Sequence, residues 1–368
     1  MNVIICGGGT VGHLTPGISL AEIILKCDPS SKILFVGREG GEENEVIERK
    51  GYELRTIKIF PFQRRVTLKN FKSASSVLIS VSDSKKIIKD FSPDIVIGTG
   101  GYVCWPVIRA AQKLKVPTAL HESNFSPGSA AKSLASRCKL VMLHFQQSEA
   151  HFKRKDNLTC VGNPIPKAFR EITREEARKR LGLNQSDFFI LSLGGSTGAE
   201  KINQSIISLM KGYSTQRNNV RHIHACGRRY YEGIKSENES LARGYNGCKI
   251  VPFITEMPLY MRAADAVISR CGAMTLSEIA VCETVPILIP SPNVTGNHQY
   301  NNAKIFTDSG AALMIEEGEL NDRTLLDAVR YLFTNKSIRE RMKKELRKFS
   351  CGKTEKEIYD LLKKAAYD

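Results

Sequence analysis

The sequence predicts an α/β protein with two doubly wound parallel-sheet domains, and three observations support this. Short strands that are apolar along their whole length alternate with helical segments through the 368 residues, as is typical of parallel sheets covered on both faces. Three glycine-rich loops each follow an apolar strand and precede a helix. The chain is also too long for a typical single core. These features predict two Rossmann-like sheets whose glycine loops face one cleft.

The first glycine loop, Gly7–His13, follows the apolar strand Val3–Cys6. A helix is expected to begin near Pro16, because apolar residues then recur at spacings of three and four. The loop has the glycine spacing of the dinucleotide-binding fingerprint, but that fingerprint needs an acidic residue after the second strand. Arg38 stands there instead, so a dehydrogenase is disfavoured.

The rest of the chain repeats the same alternation on both sides of a proline-rich break. Further strands are expected at Lys32–Val36, Leu54–Ile59, Asp94–Gly98, Pro117–His121, Phe189–Leu193, Arg221–Ala225, Lys249–Phe253, Ala266–Ser269 and Val285–Ile289. Gly162–Pro166 is a linker, since proline interrupts both helix and sheet. We therefore expect an N-terminal domain over 1–162 and a C-terminal domain over 163–339. A helical segment over about 340–368 is expected to return to the first domain.

The segment Ile268–Ala280 is the most informative part of the sequence. It predicts a strand ending at Ser269, a loop of small residues, and a helix that opens on Thr275 and Ser277. Backbone N–H groups at such a helix start bind a diphosphate. Glu278, one turn further on, can accept hydrogen bonds from ribose hydroxyls. Ordinary helix capping by a Ser/Thr and a Glu is the alternative interpretation.

Composition narrows the class of protein. The chain is 42% hydrophobic and 25% charged, which is typical of a folded soluble enzyme and not of a disordered chain. It contains 10 cysteines without a Cys-x-x-Cys pair, so reduced, buried thiols and a cytosolic compartment are expected. There is no signal-peptide pattern at the start and no long apolar run, so neither export nor membrane spanning is expected.

The net charge of +16 indicates a polyanionic partner, either nucleic acid or an anionic membrane surface. The segment Lys69–Lys89, if helical, brings Phe71, Leu78 and Val81 near one face between terminal lysines, and such a face could lie on a bilayer. Its low aromatic content disfavours a nucleic-acid stacking platform. The alternative is an amphipathic helix that covers a sheet with solvated lysines.

Taken together, the motifs resemble a family of bacterial peptidoglycan glycosyltransferases. That family transfers N-acetylglucosamine from UDP-N-acetylglucosamine to undecaprenyl-pyrophosphoryl N-acetylmuramyl-pentapeptide, converting lipid I to lipid II. The matching segments occur in family order over nearly the whole chain: Gly7–Pro16, Gly98–Tyr102, His121–Asn124, Gly162–Pro164, Gly194–Ala199, Ser269–Ala280 and Gln299–Ala303.

The resemblance implies a fold of the GT-B type, with the acceptor in the N-terminal domain and UDP-N-acetylglucosamine mainly in the C-terminal one. It implies a peripheral protein on the cytoplasmic face of the bacterial inner membrane. The implied partners are lipid I, an anionic membrane surface and a cell-wall synthesis complex. No cofactor, metal or nucleic acid is expected.

Carried over residue by residue, the resemblance implies that uracil binds the backbone of Ile254 and that Ser196 lies near the diphosphate. Gln299 and Asn302 would bind sugar hydroxyls. The phosphate and ribose would be bound by Ala273, Met274, Thr275, Leu276, Ser277 and Glu278, and the N-terminal domain would contribute Thr10, Val11, Gly12, His13 and Asn124. Each polar residue also has an ordinary interpretation: surface for Gln299 and Asn302, a turn for Asn124, a cap for Ser196.

Two positions depart from the family pattern. Val11 stands where a second glycine is usual, which makes the loop stiffer. Pro166 stands where the family commonly has an arginine, and proline cannot bind a phosphate. Lys167 or Arg170 are the candidate substitutes.

The expected chemistry is an inverting displacement, in which the muramyl C4 hydroxyl attacks the anomeric carbon and helix N-termini stabilise the departing UDP. His13 is the candidate general base or acceptor-orienting residue, because imidazole accepts a proton near neutral pH. Glu122 is the rival base, and capping of its own helix is the structural alternative for His13. No Asp-x-Asp occurs, and His222 with His224 do not make a metal site without further ligands.

Two other functions stay open at this point. One is another nucleotide-sugar enzyme of the same fold, either a glycolipid glycosyltransferase or a UDP-N-acetylglucosamine epimerase. Carboxylates serving as acid and base would favour the epimerase. The other is a basic nucleic-acid-binding protein, although the sequence contains no recognised nucleic-acid motif.

Overall fold

The computed structural model divides the chain into two α/β units. Unit 1 comprises Met1–Pro164 and Gly352–Asp368, and unit 2 comprises Ile165–Cys351. The structure describes residues 1–8, 11–41, 44–60, 68–195, 197–214, 219–244, 247–350 and 352–368. In each unit the described strands form one parallel sheet, which confirms the expectation of two doubly wound α/β domains.

Unit 1 contains a seven-stranded sheet in the order β3-β2-β1-β4-β5-β6-β7. Its strands are β1 (Asn2–Cys6), β2 (Lys32–Arg38), β3 (Glu53–Ile57), β4 (Ile95–Gly98), β5 (Thr118–Glu122), β6 (Leu140–Leu143) and β7 (Leu158–Cys160). Its first helices are α1 (Val11–Cys27), α2 (Asn44–Arg49), α3 (Leu68–Phe91), α4 (Gly101–Lys113) and α5 (Ser129–Leu134). The central strands β4, β5 and β6 are buried throughout, as expected for strands with helices on both faces.

Helix α1 begins at Val11, earlier than the start near Pro16 that the sequence suggested, and Pro16 lies inside it. Proline has no N–H to donate to the carbonyl four residues earlier, so the pattern alone favoured a later start. The surrounding fold decides otherwise, because the Thr99 hydroxyl donates to the His13 carbonyl oxygen at 2.7 Å and fixes the first turn.

Helix α3 covers the sheet through Val81, which is buried in the core of unit 1. Ile79 on the same helix is 54% exposed, and the side chains of Phe71 and Leu78 lie outside the described part of the chain. The buried contact of Val81 is that of a helix covering a sheet. Among the described residues, none of the helices has the length and apolar character needed to cross a bilayer.

Unit 2 contains a six-stranded sheet in the order β10-β9-β8-β11-β12-β13. Its strands are β8 (Phe188–Leu193), β9 (Val220–Ala225), β10 (Cys248–Val251), β11 (Ala266–Ser269), β12 (Val285–Leu288) and β13 (Leu313–Met314). Its helices are α6 (Ala168–Glu171), α7 (Arg174–Arg180), α8 (Glu200–Ser214), α9 (Arg228–Tyr231), α10 (Lys235–Gly244), α11 (Met257–Ala263), α12 (Ala273–Cys282), α13 (His298–Asp308), α14 (Asp322–Thr334) and α15 (Lys336–Arg347).

The last helix, α16 (Glu355–Tyr367), belongs to unit 1, whereas α15 belongs to unit 2. Its buried residues Ile358 and Leu362 pack with the apolar face of α1 and β1. The chain re-enters unit 1 through the Lys353 N–H, which donates to the Val161 carbonyl at 3.0 Å.

The order of the strands reverses once in each sheet, between β1 and β4 in unit 1 and between β8 and β11 in unit 2. In doubly wound sheets, ligands bind outside the carboxyl ends of the strands at such a switch point. The loops that follow β1 and β4 flank the first switch point, and those that follow β8 and β11 flank the second. The loops after β1, β8 and β11 are the three small-residue loops that the sequence singled out, and the loop after β4 lies in the family-matching segment Gly98–Tyr102.

Candidate active site

His13 lies at the switch point of unit 1. An added Cβ on Gly100 would stand 2.7 Å from His13 Cδ2, and one on Gly101 would stand 3.2 Å from His13 Nδ1. Both glycines have positive φ, +107° and +77°, a conformation that larger residues rarely adopt. The imidazole therefore lies against bare backbone after β4. Thr10 lies outside the described residues. Val11 and Gly12 are the first residues of α1 and directly precede His13.

Glu122, the rival base, is committed to its own loop. Its Oε1 accepts hydrogen bonds from the Asn124 backbone N–H at 2.9 Å and the Asn124 Nδ2 at 3.0 Å, and its Oε2 accepts from the Gly128 N–H at 3.0 Å. Burial raises the pKa of Glu122, and these hydrogen bonds oppose the shift. These three hydrogen bonds tie Glu122 to the loop that follows β5 and orient Asn124.

Helix α12 begins at Ala273, two residues before the expected opening at Thr275. Its N-cap, Gly272, makes no side-chain cap hydrogen bond. Ser277 instead donates back to the Ala273 carbonyl at 3.0 Å within the helix. The N-cap residue is a glycine, so the Ser/Thr capping pattern does not apply, and the first turn of α12 lies at the switch point of unit 2. Such a turn attracts anions.

Two side chains of the stretch from Ala273 to Glu278 reach the surface. Met274, Leu276 and Ser277 are buried, whereas Thr275 and Glu278 are partly exposed. Desolvation of the carboxyl group by burial raises the pKa of Glu278 to about 8. No described residue forms a hydrogen bond or ion pair with this group. A partly exposed carboxyl group without a described partner can accept hydrogen bonds from a ligand.

The loop between β11 and α12 is fixed by two amide side chains of α13. Gln299 Oε1 accepts from the Cys271 N–H at 3.3 Å and from the Ser291 N–H at 2.9 Å, which leaves its NH₂ group to donate elsewhere. Asn302 Nδ2 donates to the Cys271 carbonyl at 3.3 Å. Asn302 is 0% exposed, so it supports the loop from beneath, and its contact with a sugar hydroxyl stays a prediction.

The second loop of this switch point, Gly194–Ala199, packs against the turn that follows β9. An added Cβ on Gly198 would stand 2.1 Å from the Cys226 carbonyl oxygen, and one on Gly227 would stand 2.6 Å from the Thr197 carbonyl oxygen. Both positions have positive φ and require glycine for conformation and space. Ser196 lies outside the described residues.

His222 and His224 belong to a buried hydrogen-bond relay. Ser192 Oγ lies 2.8 Å from His222 Nε2 and 2.9 Å from His224 Nδ1. His224 Nε2 lies 3.0 Å from Asn203 Oδ1, and Asn203 Nδ2 donates to the Cys226 carbonyl at 3.0 Å. Burial lowers the pKa of His224 to about 4, so it is neutral at physiological pH. The relay supports the turn beneath Gly198, and the described residues contain no three-ligand metal cluster.

Sequence reasoning missed an aromatic residue beside Ile254. Ile254 is buried after β10, but the preceding Phe253 is 45% exposed. The Arg228 guanidinium carbon lies 5.4 Å from the centroid of the Phe253 ring. An aromatic residue just after a strand of this sheet was the signal that could have identified it.

Pro166 stands where the family commonly has an arginine. Of the two residues proposed to take over its role, Lys167 is ion-paired with Glu171 and Arg170 is exposed.

Two family models match the chain. Residues 3–143 match the glycosyltransferase family 28 N-terminal domain, and residues 189–362 match the glycosyltransferase family 28 C-terminal domain. The first model falls in unit 1 and the second mainly in unit 2, and together they define a two-domain glycosyltransferase. The chain belongs to glycosyltransferase family 28.

Curated relatives match over nearly their full length. A protein of Acetivibrio thermocellus is 37% identical over 99% of this chain and 98% of its own length. One of Limosilactobacillus fermentum is 35% identical over 100% and 99%. Both are named UDP-N-acetylglucosamine–N-acetylmuramyl-(pentapeptide) pyrophosphoryl-undecaprenol N-acetylglucosamine transferase.

Solved structures show the same fold. Acinetobacter baumannii MurG superposes with a TM-score of 0.77 at 21% identity, covering 99% of both chains. The UDP-GlcNAc 2-epimerase of Neisseria meningitidis superposes with a TM-score of 0.67 at 14% identity, covering 99% of this chain and 100% of its own. Because transferase and epimerase share this architecture, the fold alone does not choose between them.

Proposed function

We propose that this protein transfers N-acetylglucosamine from UDP-N-acetylglucosamine to N-acetylmuramyl-(pentapeptide) pyrophosphoryl-undecaprenol, converting lipid I to lipid II. Relatives with that name are 35–37% identical over nearly the whole chain. The structural observation that carries the proposal is the start of α12 at the switch point of unit 2, with Glu278 one turn further on and without a partner for its carboxyl group among the described residues.

Unit 2 is the proposed donor site. The first-turn amides of α12 bind the diphosphate, as helix N-termini do. Glu278 accepts hydrogen bonds from the ribose hydroxyls, and the backbone of Ile254 binds uracil. The Gln299 NH₂ group donates to a sugar hydroxyl, while Asn302 fixes the Cys271 loop. Ser196 is assigned to the diphosphate as well.

Unit 1 is the proposed acceptor site, and His13 is the proposed base. Neutral imidazole accepts the proton of the muramyl C4 hydroxyl as that oxygen forms a bond to the anomeric carbon. The bond from that carbon to the UDP oxygen breaks with inversion, and the α12 amides stabilise the charge that develops on UDP. Gly12 and Asn124 are assigned to acceptor binding, with Asn124 oriented by Glu122.

One assay separates the proposal from its rivals. The protein is incubated with UDP-N-acetylglucosamine with and without lipid I, and UDP and sugar products are measured. We expect UDP release that requires lipid I. Epimerised UDP-sugar without acceptor would identify an epimerase, and transfer to a different glycolipid but not to lipid I would identify another glycosyltransferase.

We further propose that the protein binds anionic membrane surfaces reversibly. The net charge is +16, and α3 exposes Ile79 together with Lys86 and Lys89. Charge attraction to anionic lipid weakens with salt. Cosedimentation with anionic vesicles should exceed that with neutral vesicles at low salt and fall at high salt. Equal sedimentation with both kinds of vesicle would contradict the electrostatic part of this proposal.

A further inference from the structure

Arg228 is a surface arginine whose charge no described residue neutralises. Its guanidinium lies over the Phe253 ring, and it forms no ion pair or hydrogen bond with the described residues. Stacking on an aromatic face limits the freedom of the guanidinium while leaving its N–H donors at the edge available. The side chain is thus arranged to bind an anion in the plane of its donors.

The sheet order of unit 2 locates Arg228 within the proposed donor site. The strands run β10-β9-β8-β11, so the segments after them follow in the same order along one edge. Phe253 and Ile254 follow β10, Arg228 follows β9, and Gly194–Ala199 follows β8. Arg228 therefore lies between the residues assigned to uracil and the glycine loop assigned to the diphosphate.

The turn that carries Arg228 is fixed on both sides. The Cys226 N–H donates to the Val251 carbonyl at 3.0 Å, and the Cys226 carbonyl accepts from Asn203 Nδ2 at 3.0 Å. Gly227 packs against Thr197 and Gly198. The buried relay through Ser192 and His224 therefore ends directly beneath this turn, which gives Arg228 a fixed starting point.

Three other cations of unit 2 are engaged with neighbouring side chains. Lys167 pairs with Glu171, and Arg270, just before the Cys271 loop, pairs with Glu317. The neighbouring Arg229 stacks on Tyr230 at 4.4 Å. Arg228 lies between the segments assigned to uracil and to the diphosphate, and no described residue neutralises its charge.

We propose that Arg228 binds the diphosphate of the nucleotide donor and makes unit 2 selective for nucleoside diphosphates over nucleosides. This inference rests on the proposed donor site and adds a specificity-determining residue to it. Phe253 positions the guanidinium, and the Cys226–Gly227 turn sets the height of the side chain above the sheet.

Calorimetric titration of the full-length protein with UDP and with uridine tests the proposal. Arg228→Gln should weaken UDP binding about 10- to 100-fold, the range of a lost charged hydrogen bond, and leave uridine binding within about twofold of wild type, since only a phosphate contact is removed. Arg229→Gln is the matched control and should leave both unchanged. Phe253→Leu should weaken UDP binding less than Arg228→Gln does. Melting curves establish that each variant is folded.

The outcomes separate this inference from the donor site on which it rests. Wild-type UDP affinity in Arg228→Gln, with weakened binding in Glu278→Ala, would overturn the role of Arg228 and leave the donor site standing. Equal losses for UDP and uridine would also overturn it, because the contact would then be to the nucleoside. Absence of UDP binding in the wild type would overturn the donor site itself.

Discussion

Glu122 in unit 1 and Glu278 in unit 2 are both carboxyl groups at the ligand-binding edge of their sheets, and burial raises the pKa of both. They differ in their partners. Glu122 accepts three hydrogen bonds from Asn124 and Gly128, whereas Glu278 has none from the described residues. A buried carboxylate whose oxygens are occupied orders a loop, while one without partners is paired only when a ligand arrives.

The same contrast extends to the histidines. His13 lies half-buried against Gly100 and Gly101 at a switch point, whereas His224 lies in a closed relay. Residue type therefore does not identify the functional member of each pair. We propose His13 and Glu278 as the functional members because of the position of each side chain at a switch point.

The largest expected effect comes from His13. His13→Ala should lower kcat about 10²- to 10⁴-fold, the usual cost of losing a general base. UDP affinity and melting temperature should stay near wild type, because the donor is assigned to unit 2. Steady-state kinetics with calorimetry checks this. Retention of more than about a tenth of wild-type kcat would remove His13 from the role.

The next effect concerns donor binding by Glu278. Glu278→Ala should raise the donor KM and the Kd for UDP about 10- to 100-fold, because the ribose hydroxyls lose the carboxyl oxygens that accept their hydrogen bonds. Asp308→Ala, an exposed carboxylate on α13 paired with Lys304, is the matched control. If calorimetry gave the wild-type affinity for the Glu278 variant, the ribose assignment would be wrong.

Replacing Glu122 should affect stability and acceptor binding, whereas replacing Glu278 should affect donor binding. Glu122→Gln leaves a donor facing the N–H groups of Asn124 or Gly128, so the free energy of unfolding should fall by about 1–3 kcal/mol. Acceptor KM should rise as the Asn124 loop loses order, while UDP affinity should not change. Denaturant unfolding and acceptor titration measure this. A variant as stable as wild type but without turnover would restore Glu122 as a catalytic candidate.

The last prediction is a pH dependence of stability in the absence of ligand. The folded-state pKa of Glu278 is about 8, above its ordinary 4.5, so the folded protein binds this proton more tightly than the unfolded chain. Stability is therefore lost as pH rises from 4.5 toward 8. Glu278→Gln removes this loss, so its melting temperature should match wild type near pH 4 and exceed it near pH 8. A melting-temperature difference between the variant and wild type that stayed constant from pH 4 to pH 8 would contradict the raised pKa of Glu278.

Local sequence determined the architecture. The apolar strands and the small-residue loops are contiguous segments, and their alternation predicts two parallel sheets because strand burial and helix periodicity are local properties. Gly7–His13, Gly194–Ala199 and the segment before α12 could be recognised as ligand loops for the same reason. Position in the glycine-loop helix suggested the ribose role of Glu278, and imidazole chemistry suggested the base role of His13, each beside a capping alternative.

Tertiary structure decided which polar side chains are engaged, because their partners are distant in the chain. Asn302 reaches Cys271 across 31 residues and His224 reaches Asn203 across 21, so Asn302 becomes a buried support and the two histidines a relay. The start of α1 at Val11 depends on Thr99, 86 residues from His13. The stack of Arg228 on Phe253 joins the ends of two strands. Such contacts depend on sheet order and side-chain packing, which no local pattern encodes.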